Sequence, residues 1–88
     1  MEKFQFKVKK EDGKDIVYDV IATYHNDDSN KDFIIYTDRT FDENNNLKIF
    51  YSLYKEIDND IKLIEITDID DKRIGLQLIQ ELVKDMDN

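Results

Sequence analysis

The chain is 88 residues long, which allows a single domain (residues 1–88) with a modest core, and charged residues make up 39% of it against 40% hydrophobic residues. Its formal net charge of −8 opposes binding to phosphate backbones and anionic lipids, and no apolar run approaches the roughly 18 residues that span a bilayer, so we expect neither direct nucleic-acid binding nor membrane binding. The absence of cysteine excludes disulfides and thiol chemistry and, with an N-terminus that lacks an apolar signal region, predicts a soluble cytoplasmic protein.

The N-terminal part of the chain predicts a β-hairpin. Residues Phe4 to Lys10 alternate between apolar and polar, and the following segment Glu-Asp-Gly-Lys contains Asp-Gly, which is a strong hairpin signal. Asp15 to His25 then forms the return strand. The lysines of the first strand alternate with its apolar residues, so we interpret them as its solvent face and not as a basic site for nucleic acid.

Three further strands are predicted, separated by segments rich in Asn, Asp and Ser. Such residues favour turns because their short polar side chains hydrogen-bond to the nearby backbone. The strands are expected at Phe33–Thr37, Leu47–Ile57 and Ile61–Ile66, with polar loops at 26–31 and 39–46 and a turn at 58–60.

From Asp68 onward the apolar residues recur with the period of a helix. They occupy an arc of roughly 200° on a helical projection, with polar residues opposite. Gly75 lies near the middle of this arc, where a missing side chain lets a helix approach a sheet closely. The other members of the arc are Ile74, Leu76, Leu78, Ile79, Leu82, Val83 and Met86.

The segment Asp-Ile-Asp-Asp-Lys-Arg-Ile-Gly at positions 68–75 could be a metal site or a helix start. A calcium loop of the helix-loop-helix kind needs alternating oxygen ligands, glycine at its sixth position and glutamate at its twelfth. Counted from Asp68, the fifth, sixth and twelfth positions are Lys, Arg and Ile instead. We therefore predict that Thr67 or Asp68 caps the helix, that Asp70 and Asp71 lie in its first turn, and that no metal or other cofactor is bound.

No catalytic constellation is recognisable in the sequence. His25 is the only histidine, and a nucleophilic triad would need Ser29 or Ser52 to meet it, which nothing in the spacing suggests. The two glycines are far apart and cannot form a glycine-rich phosphate-binding loop. We expect no catalytic residues and no enzymatic activity.

The order of several segments along the chain carries a resemblance to a known family. These are Glu-Asp-Gly-Lys at 11–14, Ile-Val-Tyr-Asp-Val-Ile-Ala-Thr-Tyr at 16–24, Asp-Phe-Ile-Ile-Tyr at 32–36, an aromatic fourth strand, Leu-Ile-Glu-Ile at 63–66 and an acidic helix start. In this order, which covers nearly the whole chain, the sequence resembles domain-of-unknown-function family 1292, a family of small bacterial proteins. The resemblance implies the same fold and a bacterial, cytoplasmic setting, and it implies no activity and no functional residue.

The predicted fold is α+β, with a twisted antiparallel meander sheet of about five strands and one C-terminal helix packed on one face. Apolar residues occur on both faces of the second, third and fourth strands, which is unusual for an antiparallel sheet covered on one side. Either the sheet curls into a partial barrel or its second face meets a partner. The candidate interaction face comprises Val17, Ile21, Ile34, Tyr36, Phe50 and Tyr54.

Two functions are compatible with this sequence. The first is a non-enzymatic protein–protein interaction module that binds an unidentified protein, or a second copy as a homodimer, through this face or an edge strand. The alternative is an acidic nucleic-acid mimic that inhibits a DNA-binding or nuclease protein, and its binding should weaken steeply with salt. The candidate acidic surface for that role comprises Asp58, Asp60, Glu65, Asp68, Asp70 and Asp71.

Overall fold

Five antiparallel strands form one sheet and a single C-terminal helix follows them, which confirms the predicted α+β fold. The computed structural model describes residues 5–9 and 11–86, with side chains to residue 84. The predicted ends of the first strand, Phe4 and Lys10, and the side chain of Met86 lie outside the described residues. The elements are β1 (Gln5–Lys9), β2 (Asp15–Asn26), β3 (Lys31–Thr37), β4 (Phe50–Ile57), β5 (Asp60–Ile64) and α1 (Ile69–Met86).

The strands pair in chain order, so each hairpin depends on a short turn. Gly13 takes a φ of 86° in the β1–β2 turn, as the Asp-Gly signal predicted. The β4–β5 turn has positive φ at both central residues, 52° at Asp58 and 70° at Asn59. This pattern is typical of the two-residue turns whose twist matches that of the strands they join.

Strand β4 begins at Phe50, three residues later than predicted. The preceding segment forms a separate ordered loop, in which Phe41 and Leu47 make an isolated bridge. The buried Thr37 hydroxyl donates to the carbonyl oxygen of Lys48 at 2.6 Å, and the Lys48 amide donates to Thr40 at 2.9 Å. These bonds hold the segment against the end of β3, so it cannot extend β4.

A β-bulge in β2 changes which side chains share a face. Val20 pairs with Tyr36 and Ala22 pairs with Ile35, so Ile21 is the extra residue between two consecutive pairs. Side chains alternate between faces along a strand, and one extra residue therefore inverts the alternation. Even-numbered positions of β2 lie on one face before the bulge and on the other face after it.

The sheet curls until its two edge strands approach each other. Cα atoms of β1 come within 8 Å of β5, although these strands are not hydrogen-bonded neighbours. The curl makes one face of the sheet concave, and Ile34 on this face is only 1% exposed. The opposite, convex face holds the other fully buried side chains, Phe33 and Ile35.

Helix α1 packs across the convex face, where Gly75 lies directly on the ring of Tyr51. A Cβ atom added at residue 75 would lie 2.1 Å from Cδ2 of Tyr51, well inside van der Waals contact. Tyr51 pairs with Ile35, so the helix crosses the sheet at β4 and covers the core residues of β3. The close approach predicted for Gly75 is present in the structure.

Candidate functional site

The six residues of the candidate interaction face do not share one surface. Ile34 is buried in the concave face, whereas Val17 is 47% exposed and lies on the convex side. Ile21 is the extra residue of the bulge. The sequence grouping placed Val17 with Ile34 because simple alternation along β2 contains no bulge. The remaining three members lie on the concave face and are half-buried; they are Tyr36, Phe50 and Tyr54.

Aromatic rings fill the concave face. The ring centroid of Tyr36 lies 4.8 Å from that of Tyr18, 5.4 Å from Phe6 and 5.6 Å from Phe50. These separations are typical of packed aromatic pairs. Burial raises the pKa of the Tyr36 hydroxyl, and the nearby Tyr18 adds to the rise. The concave face is therefore a second core layer, which corresponds to the curled-sheet alternative.

The carboxylates of the candidate acidic surface are dispersed. Asp58 lies in the β4–β5 turn, and Asp60 is the first residue of β5. Glu65 follows the other end of that strand, about 16 Å away at the rise of an extended chain. Asp71 is buried, at 3% exposure, and does not contribute to the surface.

The remaining acidic residues organise the start of α1. The Asp68 side chain accepts a hydrogen bond from the Asp70 amide at 2.8 Å, which confirms Asp68 as the N-cap. The buried carboxylate of Asp71 accepts from the Lys31 ammonium at 2.7 Å, and this bond raises the pKa of Lys31. Asp70 lies 3.9 Å from the exposed Arg73 guanidinium. The cluster therefore anchors the helix to β3.

An exposed apolar stripe on α1 is the feature that the sequence interpretation missed. Ile69, Leu76 and Val83, which we call the helix stripe, are 66%, 50% and 40% exposed. They are spaced seven residues apart, and at about 100° per residue they lie in one line along the helix. The sequence placed Leu76 and Val83 in the apolar arc of α1, but this arc spans more of the helix circumference than contact with one sheet can bury.

The helix stripe lies on the flank of α1 that faces away from β2. Ile74 and Leu78, on the opposite flank, lie beside Tyr24 of β2. The stripe therefore lies toward β5, at the edge of the sheet. Ile64 of β5, which pairs with Leu53 of the convex face, is also 36% exposed. The helix flank and the edge strand together present aliphatic side chains to solvent.

Two polar clusters lie elsewhere on the sheet. His25 Nδ1 is 2.7 Å from the Asp32 carboxylate on the neighbouring strand, and its Nε2 is 3.4 Å from Asp27. Asp19 accepts hydrogen bonds from Arg39 and from Gln5, and these bonds lower the pKa of Asp19. Both clusters tie neighbouring segments of the sheet together.

A shallow cleft occupies the seam where β1 approaches β5. Its volume is about 360 Å³, and it is lined from both edges of the sheet. Phe6 and Lys7 of β1 line one side of the cleft, and Asp60 and Ile61 of β5 line the other. The cleft marks the place where the curled sheet stops short of closing.

Ser52 and His25, two of the residues that a nucleophilic triad would need, lie apart in the sheet. Ser52 is buried, with its hydroxyl 2.8 Å from the carbonyl oxygen of Ile64 and away from His25 in the sheet register. No three His, Asp or Glu side chains of these residues converge as metal ligands. None of the described helices has both the length and the apolar character needed to cross a membrane.

No protein-family model, curated protein or solved structure matches this chain.

Proposed function

We propose that this chain is a non-enzymatic protein–protein interaction module that binds through the outer flank of its C-terminal helix. The observation that carries the proposal is the helix stripe, three large aliphatic residues aligned along about 21 Å of helix and each 40% exposed or more. Aligned apolar residues on an exposed helix flank are the pattern by which helices bind one another. The cysteine-free sequence is compatible with a reducing, cytoplasmic setting.

The resemblance to domain-of-unknown-function family 1292 adds no activity to this proposal. The acidic-mimic alternative has less support, because its carboxylates are dispersed and Asp71 is internally paired. The helix flank also borders on cations, Lys72 and Arg73, which a mimic of nucleic acid would not present.

Affinity capture from cell extract, with matched variants, tests the proposal. Leu76→Glu introduces a charge in the middle of the helix stripe, and Gln77→Glu introduces the same charge one position further round, on an exposed face. We expect proteins that bind wild type and Gln77→Glu at high salt to be lost from Leu76→Glu. Circular dichroism checks that both variants remain folded. An identical set of proteins on all three baits would contradict the proposal.

A further inference from the structure

A groove lies on the flank of α1 opposite the helix stripe, between the helix and β2. It consists of two adjoining clefts with volumes of about 240 Å³ and 200 Å³. Tyr24 of β2 and Leu78 and Glu81 of α1 line both clefts, so the clefts form one continuous depression. Helix α1 thus leaves part of β2 uncovered on the convex face.

The β-bulge in β2 makes room for this groove. After the extra residue Ile21, Ala22 and Tyr24 lie on the helix side of the sheet, where Ala22 pairs with Ile35. Ala22 has only a methyl group, so it does not fill the space below the helix, and with Ile35 it forms the floor of the smaller cleft. The ring centroid of Tyr24 lies 6.2 Å from that of the buried Phe33, and Tyr24 is 44% exposed. The groove therefore has an aliphatic floor and an aromatic wall.

The groove also carries a negative charge. Of the described residues that line the two clefts, Glu81 alone is charged. Its side chain is exposed, and the polar groups beside it in the larger cleft are the amide of Gln77 and the phenol of Tyr24. A carboxylate beside an aromatic ring and an aliphatic surface favours a ligand that has both a cationic head and an apolar stem. The net charge of −8 further attracts such a ligand.

We propose that this groove binds an arginine side chain from a basic segment of a partner protein. The planar guanidinium stacks on the ring of Tyr24 and donates two parallel hydrogen bonds to Glu81, while its methylene stem lies along Leu78. Each cleft is smaller than the roughly 300–1,000 Å³ of a small-molecule pocket, so it suits one side chain presented by a peptide. Because the groove and the helix stripe lie on opposite flanks of α1, the two surfaces can bind independently.

NMR titration of the isotope-labelled full chain with short peptides tests the proposed ligand. The probe is acetyl-Gly-Arg-Gly-amide, and its neutral control contains citrulline, which keeps the shape of arginine without its charge. We expect saturable shift changes confined to the groove with the arginine peptide and none with the citrulline peptide. The same peptide with lysine should bind several-fold more weakly, because an ammonium group cannot form the two parallel bonds. Equal binding of arginine and citrulline or lysine peptides, or shifts spread over acidic residues outside the groove, would overturn the proposal.

Matched variants test the assigned residues. Glu81→Gln should weaken the arginine peptide by roughly tenfold, because it removes the charge from the paired hydrogen bonds. Glu43→Gln removes the same charge from the exposed loop between β3 and β4 and should weaken binding by less than about twofold. Equal losses for the two variants would show that the peptide responds only to net charge and would overturn the site.

A third variant tests the space without altering the charge. Ala22→Leu fills the floor of the groove and should abolish binding of the arginine peptide, and circular dichroism checks that it remains folded. A folded Ala22→Leu that binds as wild type does would overturn the site. If Ala22→Leu does not fold, the comparison of Glu81→Gln with Glu43→Gln decides the question.

Discussion

The contact of Gly75 with Tyr51 shows how one residue sets the position of a whole element. Glycine costs a helix about 1 kcal/mol relative to alanine. The absence of a side chain lets α1 lie on the aromatic ring, with the space for a Cβ already occupied by ring atoms. The close approach of the helix at Gly75 was predictable from the sequence, because this glycine interrupts an otherwise continuous apolar arc.

Gly75→Ala should destabilise the protein by roughly 1–3 kcal/mol, even though alanine favours the helix. The added Cβ would lie 2.3 Å or less from two ring atoms of Tyr51, so the ring or the helix must shift. Urea unfolding measures the change. Gln80→Ala, on the exposed face, is the control for helix propensity and should change stability by less than about 0.5 kcal/mol. An unchanged or more stable Gly75→Ala would contradict the contact.

The Lys31–Asp71 pair should matter more to stability than its exposed neighbour. Asp71→Ala removes a buried carboxylate and leaves Lys31 without the oxygen that lies 2.7 Å from its ammonium. We expect its melting temperature to fall by several degrees more than that of Asp70→Ala, whose side chain is exposed and 3.9 Å from Arg73. Because the bond raises the pKa of Lys31, its stabilisation holds below pH 10.5 and is lost as pH rises through the raised value. Equal losses for the two variants would contradict this difference.

Asp19 makes part of the stability depend on acid pH. Hydrogen bonds from Arg39 and Gln5 lower its pKa below 3.8, so the unfolded chain binds this proton more readily than the folded chain does. The contribution is complete above the ordinary value and is lost as pH falls through the lowered one. Asp19→Asn should therefore show a flatter decline of melting temperature below pH 3.8 than wild type. Parallel curves for the two proteins would show that the bonds with Asp19 do not stabilise the folded chain.

At the scale of elements, the strands and the helix follow from alternation, turn residues and helical period, and their order is correct in the sequence interpretation. The bulge between Val20 and Ala22 could not be predicted, since β2 is apolar on both sides and fits either alternation. The helix stripe could not be predicted for a related reason. The apolar arc identifies the hydrophobic residues of the helix, but it does not show what fraction of them the sheet buries. The face assignments, and with them the candidate site, therefore depended on tertiary structure.

Matched charge substitutions on the two faces of the sheet test the bulge. Ile34→Glu places a carboxylate in a position that is 1% exposed and should unfold the protein. Val17→Glu, at a position 47% exposed on the opposite face, should leave the fold intact and change stability by about 0.5 kcal/mol or less. Circular dichroism and thermal melting measure both variants. A folded Ile34→Glu or an unfolded Val17→Glu would mean that the register is wrong.

At the scale of the whole molecule, the sheet divides the apolar residues into two small cores. The concave core is aromatic and is closed by the curl of the sheet, and the convex core is closed by α1. This division explains why apolar residues occur on both faces of the central strands without leaving an open sheet face.

The pairing of each strand with its neighbour in the chain allows the sheet to fold in the order in which it is synthesised. Every ladder forms between segments joined by a turn or one loop, so ring-closure entropy is small and folding should take milliseconds or less. The chain has no proline, and stopped-flow refolding should therefore follow a single exponential with no slow isomerisation phase. During synthesis each hairpin can form as soon as its second strand leaves the ribosome. The approach of β1 to β5 must wait until the last strand has emerged, and the convex core closes only after α1 has followed it.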